Sequence, residues 1–160
     1  MSAQPSQVAK PAAQPVAPHP NFFKMEALLP VQGRENILMA KAGGMEVVLK
    51  TYAKAGENEL HAHLTEDHTF IVLQGKAEFY GPSNEIRAIG ANEGVLLPRG
   101  TFYWFRSCGD DPLVMARIGA ATEPGVDPTM RINSKGDYMD PASAENKEVP
   151  LVLSKDNWFK

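Results

Sequence analysis

The sequence predicts an all-β domain closed as a sandwich or barrel, and three observations carry that prediction. Short runs rich in β-branched and aromatic residues follow one another from residue 22 to about residue 120. Turn signals dense in Gly, Pro, Asn and Asp separate them at close intervals. No segment of helical period and useful length interrupts the series. Eight or nine short strands in about 100 residues need an architecture that manages exposed sheet edges, as sandwiches and barrels do.

Taken in order, strands are expected over 37–40 and 45–53, on either side of Gly43-Gly44. The next pair, 59–63 and 68–74, flanks a four-residue gap wide enough for a tight turn. Strands over 77–80 and 85–89 are separated by Gly81-Pro82-Ser83-Asn84, and 94–98 follows the turn at 90–94. Arg99-Gly100 leads into 101–106, and the run from Cys108 to Pro112 precedes the last strand, 113–118.

The flanks differ in kind. Residues 1–21 are dominated by Ala, Pro, Gln and Ser, with no aromatic before Phe22, and are expected to be a disordered tail. Residues 22–120 are expected to form the barrel. In 121–160, four prolines punctuate a polar stretch ending in an apolar 149–153 and Trp158-Phe159, so this extension is expected to pack on the barrel or on a neighbouring subunit.

Composition narrows the function. The 160 residues make one domain, large enough to fold without a disulfide or structural metal, so a bound metal would serve chemistry. A net charge of −3 speaks against nucleic acid as a partner. Cys108 is the only cysteine, which removes any intrachain disulfide, zinc ribbon or Cys-x-x-Cys redox pair. With neither a secretory pattern near Met1 nor a run of about 18 apolar residues, a cytoplasmic protein without a membrane partner is expected.

The chemistry concentrates between residues 56 and 68. His61 and His63 lie two apart, so on a strand they leave the same face, a spacing that suits two ligands of one metal. After the tight turn, the first inward residue of the next strand, His68, approaches the same point. The alternative is that the pair decorates a solvent-facing strand and binds nothing.

These residues resemble the first motif of the cupin family, with Gly56, His61, His63, His68 and Gly75 at its places. The run from Pro98 through Gly100 to Tyr103, with Ser107 beyond, resembles the second motif. The resemblance covers roughly residues 44–120 and implies a double-stranded β-helix, the jelly-roll barrel. This sequence departs from the family pattern where His68 replaces the usual Glu ligand and Tyr103 the usual second-motif His. The expected metal set is therefore His61, His63 and His68, while Glu66 and Asp67, in the turn, are expected to face solvent.

Three neutral imidazoles leave a divalent ion its full double charge, which suits anionic chelating substrates, and Fe, Zn, Mn, Ni or Cu would all fit. Tyr103 has three readings: a phenolate ligand, a hydrogen-bond or proton donor to a metal-bound molecule, or a space-filler. Strand parity places Phe70, Val72 and Phe105 in the pocket wall. Arg117 either binds a substrate carboxylate there or lies on the solvated surface. Outward Phe102 and Trp104, with Trp158-Phe159, predict a homodimer or burial under the extension.

Cupins with three-His iron sites, the resemblance implies, include dioxygenases. The leading expectation is an oxygenase-type oxidoreductase of a small organic molecule. The alternatives are a non-redox metal-assisted isomerase or lyase, and a metabolite-binding cupin without turnover.

Overall fold

Twelve strands form in the computed structural model, which describes residues 19–54, 58–122, 127 and 130–160; no described residue is helical. They are β1 (Ala27–Gln32), β2 (Arg34–Ala42), β3 (Met45–Tyr52), β4 (His61–His63), β5 (Glu66–Gln74), β6 (Lys76–Tyr80), β7 (Ile86–Gly90), β8 (Gly94–Leu97), β9 (Trp104–Cys108), β10 (Leu113–Ala121), β11 (Arg131–Asn133) and β12 (Val152–Phe159). Residues 1–18 of the expected 1–21 tail lie outside the described residues, as does Gly56.

Apart from the β1-β12 pair, the strands make two facing sheets. One has the order β2-β3-β10-β5-β8. The other joins the three-stranded β7-β6-β9 to the pair β4-β11 through a bridge between His61 and Tyr103. At that bridge the Tyr103 amide donates to the His61 carbonyl at 2.9 Å, and the His61 amide returns to the Tyr103 carbonyl at 3.1 Å. The two motif segments are thus hydrogen-bonded neighbours within one sheet of a double-stranded β-helix.

Inside, Tyr52, Phe70, Val72, Phe79, Phe105 and Met115 close the core. Each large side chain contributes about 1.5–3 kcal/mol on full burial. Register explains which residues meet: Met115 stands opposite both Lys50 and Val72, and Arg117 opposite Val48 and Phe70, so all face the interior. The expected inward parity of Phe70, Val72 and Phe105 holds in the structure. On the outer face, Leu49 and Val114 are covered by Ala27, Leu29 and Phe159 from the β1-β12 pair.

Every expected strand overlaps an observed one, with shifted ends. The largest consequence follows at β5, which starts at Glu66 instead of His68 because β10 runs on to Ala121 and gives Glu66 a ladder partner. β1, β11 and β12 were not among the expected strands; the last two lie in the extension, and β11 adds a strand beside β4. Trp104 stacks on Tyr80, with ring centroids 3.9 Å apart, and Lys147 of the extension lies over its ring.

Candidate metal centre

β4 and β5 come from opposite sheets, and their inward residues meet between them. His61, His63, Glu66 and His68 are all buried. One donor atom from each of His63, Glu66 and His68 lies within 4.8 Å of the others, a three-donor group able to hold a metal ion. The His63 and His68 ring centroids are 4.2 Å apart.

Two of the sequence expectations need correction here. Glu66 does not face solvent: with β5 beginning at this residue, it is two positions from His68 and leaves the same face. Asp67, one position on, does turn outward, where it accepts from the Arg99 amide at 2.8 Å. Nor does Arg117 lie on the solvated surface. Its side chain is largely buried, with Nη2 donating to Glu46 at 3.1 Å and Nη1 to Glu66 at 3.3 Å.

His61 stands beside the group without joining it. Its Nδ1–H donates to the Glu59 carbonyl at 2.6 Å, which fixes the tautomer and leaves Nε2 as the basic nitrogen. Its ring centroid is 5.1 Å from that of His63 and 4.6 Å from that of Tyr103.

The donor chemistry fits a cation. His63 Nδ1 and Glu66 Oε1 are buried without a hydrogen-bond partner, a costly arrangement that a bound ion relieves. Burial, helped by Arg131, pushes His61 down to about 3. Burial also lowers His63, with His68 adding to it, and lowers His68 against the opposing bond to Glu66. All three rings are therefore neutral near pH 7, the form that coordinates metal.

Gly119 makes the room for Glu66. It sits on β10 opposite His68, and a Cβ built there would collide with the Glu66 carboxylate. Gly119→Ala is therefore expected to displace that carboxylate, lowering metal affinity about 10–100-fold and stability by about 1–3 kcal/mol. Metal titration and thermal unfolding of the variant measure both.

Tyr103 faces the group from the second motif. Its hydroxyl lies 3.3 Å from His68 Nδ1, and burial raises its pKa, so the phenol keeps its proton. Phe70 and Phe105 lie near its ring, with centroids 6.0 and 6.4 Å away. Sequence reasoning missed the part played by Glu66, whose spacing of two from His68 was the available signal. It also missed Lys50 and Arg131, which face the interior beside the group.

A family model described as a cupin domain matches residues 48–119. No curated protein matches the chain. Among solved structures, TT1209 from Thermus thermophilus is 16% identical, with 59% of this chain and 90% of that one covered at a TM-score of 0.53. KdgF from Halomonas sp. is 19% identical, covering 55% and 79% at 0.50. An uncharacterized conserved protein with a double-stranded β-helix domain from Klebsiella pneumoniae is also 19% identical, covering 57% and 76% at 0.50. At these identities the likeness establishes the shared fold.

Proposed function

For this small member of the cupin family, we propose the function of a metal-dependent enzyme acting on a small organic molecule as an oxidoreductase of the oxygenase type. The observation that carries the reading is the buried His63, Glu66 and His68 group at the interface of the two sheets. A divalent transition metal bound there would supply Lewis acidity and, where redox-active, an electron path to substrate.

The chain's own residues do the rest. His63, Glu66 and His68 would hold the ion, and one carboxylate among them would lower the net charge of the site by one unit relative to three imidazoles. His68 links the ion to Tyr103. Were Nε2 the nitrogen that holds the ion, the His68 proton would lie on Nδ1 and donate to Tyr103 Oη, leaving the phenol's own hydrogen to reach a bound molecule. The aromatic wall of Phe70, Phe79 and Phe105 keeps water from the interior side.

The same Tyr103 hydroxyl supports a second reading, in which the site performs isomerase or lyase chemistry with Tyr103 as the proton donor. One experiment separates the readings. Untagged protein is assayed for metal by elemental analysis, then for oxygen uptake with enols, diketones and thiols. About one ion per chain is expected. Turnover without oxygen uptake favours the second reading, and an ion content near zero after reconstitution with Fe(II), Zn, Mn, Ni or Cu removes both.

We also propose a cytoplasmic homodimer. Val31, Val152, Leu153 and Trp158 are exposed apolar side chains on the β1-β12 pair. Light scattering is expected to give twice the 17.5 kDa chain mass, and Trp158→Glu to shift the particle toward that of one chain.

A further inference from the structure

A second polar surface lies in the interior beside the metal group. β3, β10 and β11 turn Lys50, Arg117 and Arg131 into one cavity of about 370 Å³, which Pro141 and Ala142 also line. Register sets its position. Arg131 stands directly across from His63 on adjacent antiparallel strands, so the two side chains leave the same face. Arg117 approaches from the other sheet, with Nη1 3.3 Å from both Glu66 Oε2 and His68 Nε2. A guanidinium from each sheet thus flanks the group.

The two carboxylates in the cavity wall are already engaged. Glu46 is shared between Lys41, at 2.7 Å, and Arg117, at 3.1 Å. Glu148 accepts from Arg34 Nε at 2.7 Å. Arg117 Nε is buried without a partner. The Lys50 ammonium is held by a neutral acceptor, Asn36 Oδ1, at 2.5 Å. Burial, with the Arg117, Arg131 and Arg34 guanidiniums, pushes Lys50 well below the usual lysine range. Arg117 Nε and the Lys50 ammonium, which has only a neutral acceptor, therefore keep capacity for an anion on the cavity wall.

We propose that this cavity binds the carboxylate of a small organic acid, which Lys50, Arg117 and Arg131 hold beside His63 and His68. The proposal rests on reading those histidines as part of a metal centre, and it names the substrate class. A carboxylate matches the planar guanidinium fork, and a cavity near the lower end of small-ligand volumes limits the acid to a few carbons.

Calorimetric titration tests it with three probes: malonate, its uncharged analogue malonamide, and inorganic phosphate. Chelator-treated protein is used first, then the same protein with one equivalent of zinc. Malonate is expected to bind at least about tenfold more tightly than malonamide without zinc, and Lys50→Gln and Arg131→Gln each to weaken it by about tenfold or more. Lys50→Gln is also expected to raise the unfolding temperature, because it removes a cation from a crowded set; a variant that merely misfolds cannot do this. Should Lys50→Gln fail to fold, Lys50→Met takes its place. The proposal is overturned if malonate shows no preference over malonamide, if phosphate binds more tightly than malonate, or if folded variants bind malonate as the parent does. Failure to retain zinc defeats the metal reading alone, since the malonate result on chelator-treated protein is independent of it.

Discussion

Replacing His63 or His68 with alanine is expected to strip the retained metal while leaving the barrel folded. A four-ligand zinc site binds with an apparent free energy of about 10–16 kcal/mol, so one ligand accounts for about 3–4 kcal/mol, or roughly 10²–10³-fold in affinity. Neither ring is a main element of the aromatic core, which Tyr52, Phe70, Phe79 and Phe105 build further inside. Glu66→Gln keeps the shape of the side chain and removes its charge, and should weaken the ion comparably. It also leaves Arg117 with Glu46 as its remaining carboxylate partner. His61→Ala is the discriminating variant. Its ring lies outside the three-donor group, so most of the ion should stay bound. Elemental analysis of the four variants after identical reconstitution decides between ligand sets. If His61→Ala loses the ion as completely as His63→Ala, the three-imidazole set expected from the sequence is the right one.

The difference between those two sets shows what the sequence made legible. Alternation along 61–63 and the tight turn to His68 were enough to bring both strands to one point, because side-chain parity is a local property. Where β5 begins is not local. It depends on β10 extending to Ala121, some fifty positions away, and that extension turns Glu66 inward. Gly119 carried no signal either, since its role is the absence of a Cβ against a carboxylate from another strand. Arg131 belongs to a three-residue strand in a polar, proline-punctuated stretch, and its ladder partner is the equally short β4. The barrel was therefore readable from rhythm and turns, whereas its charged lining depended on pairings between distant segments.

Tyr103→Phe is expected to keep the metal and lose about 10²–10⁴-fold in turnover, the range for a positioned proton donor. The ring is buried among Phe70, Phe79 and Phe105, and removing one oxygen changes its volume little, so packing should survive. What disappears is the hydroxyl 3.3 Å from His68 Nδ1. His68 Nε2 lies 2.5 Å from Glu66 Oε2 on the side of the ring away from Tyr103, so removing the hydroxyl leaves that side of the group in place. Burial favours the protonated phenol, the form that donates a hydrogen bond. Metal content, the spectrum of a cobalt-substituted sample, and turnover on whichever enol, diketone, thiol or sugar phosphate a screen identifies would be measured together. Loss of metal from the Phe variant would make Tyr103 a ligand. An unchanged rate with unchanged metal would reduce it to a ring that fills the place of the missing imidazole.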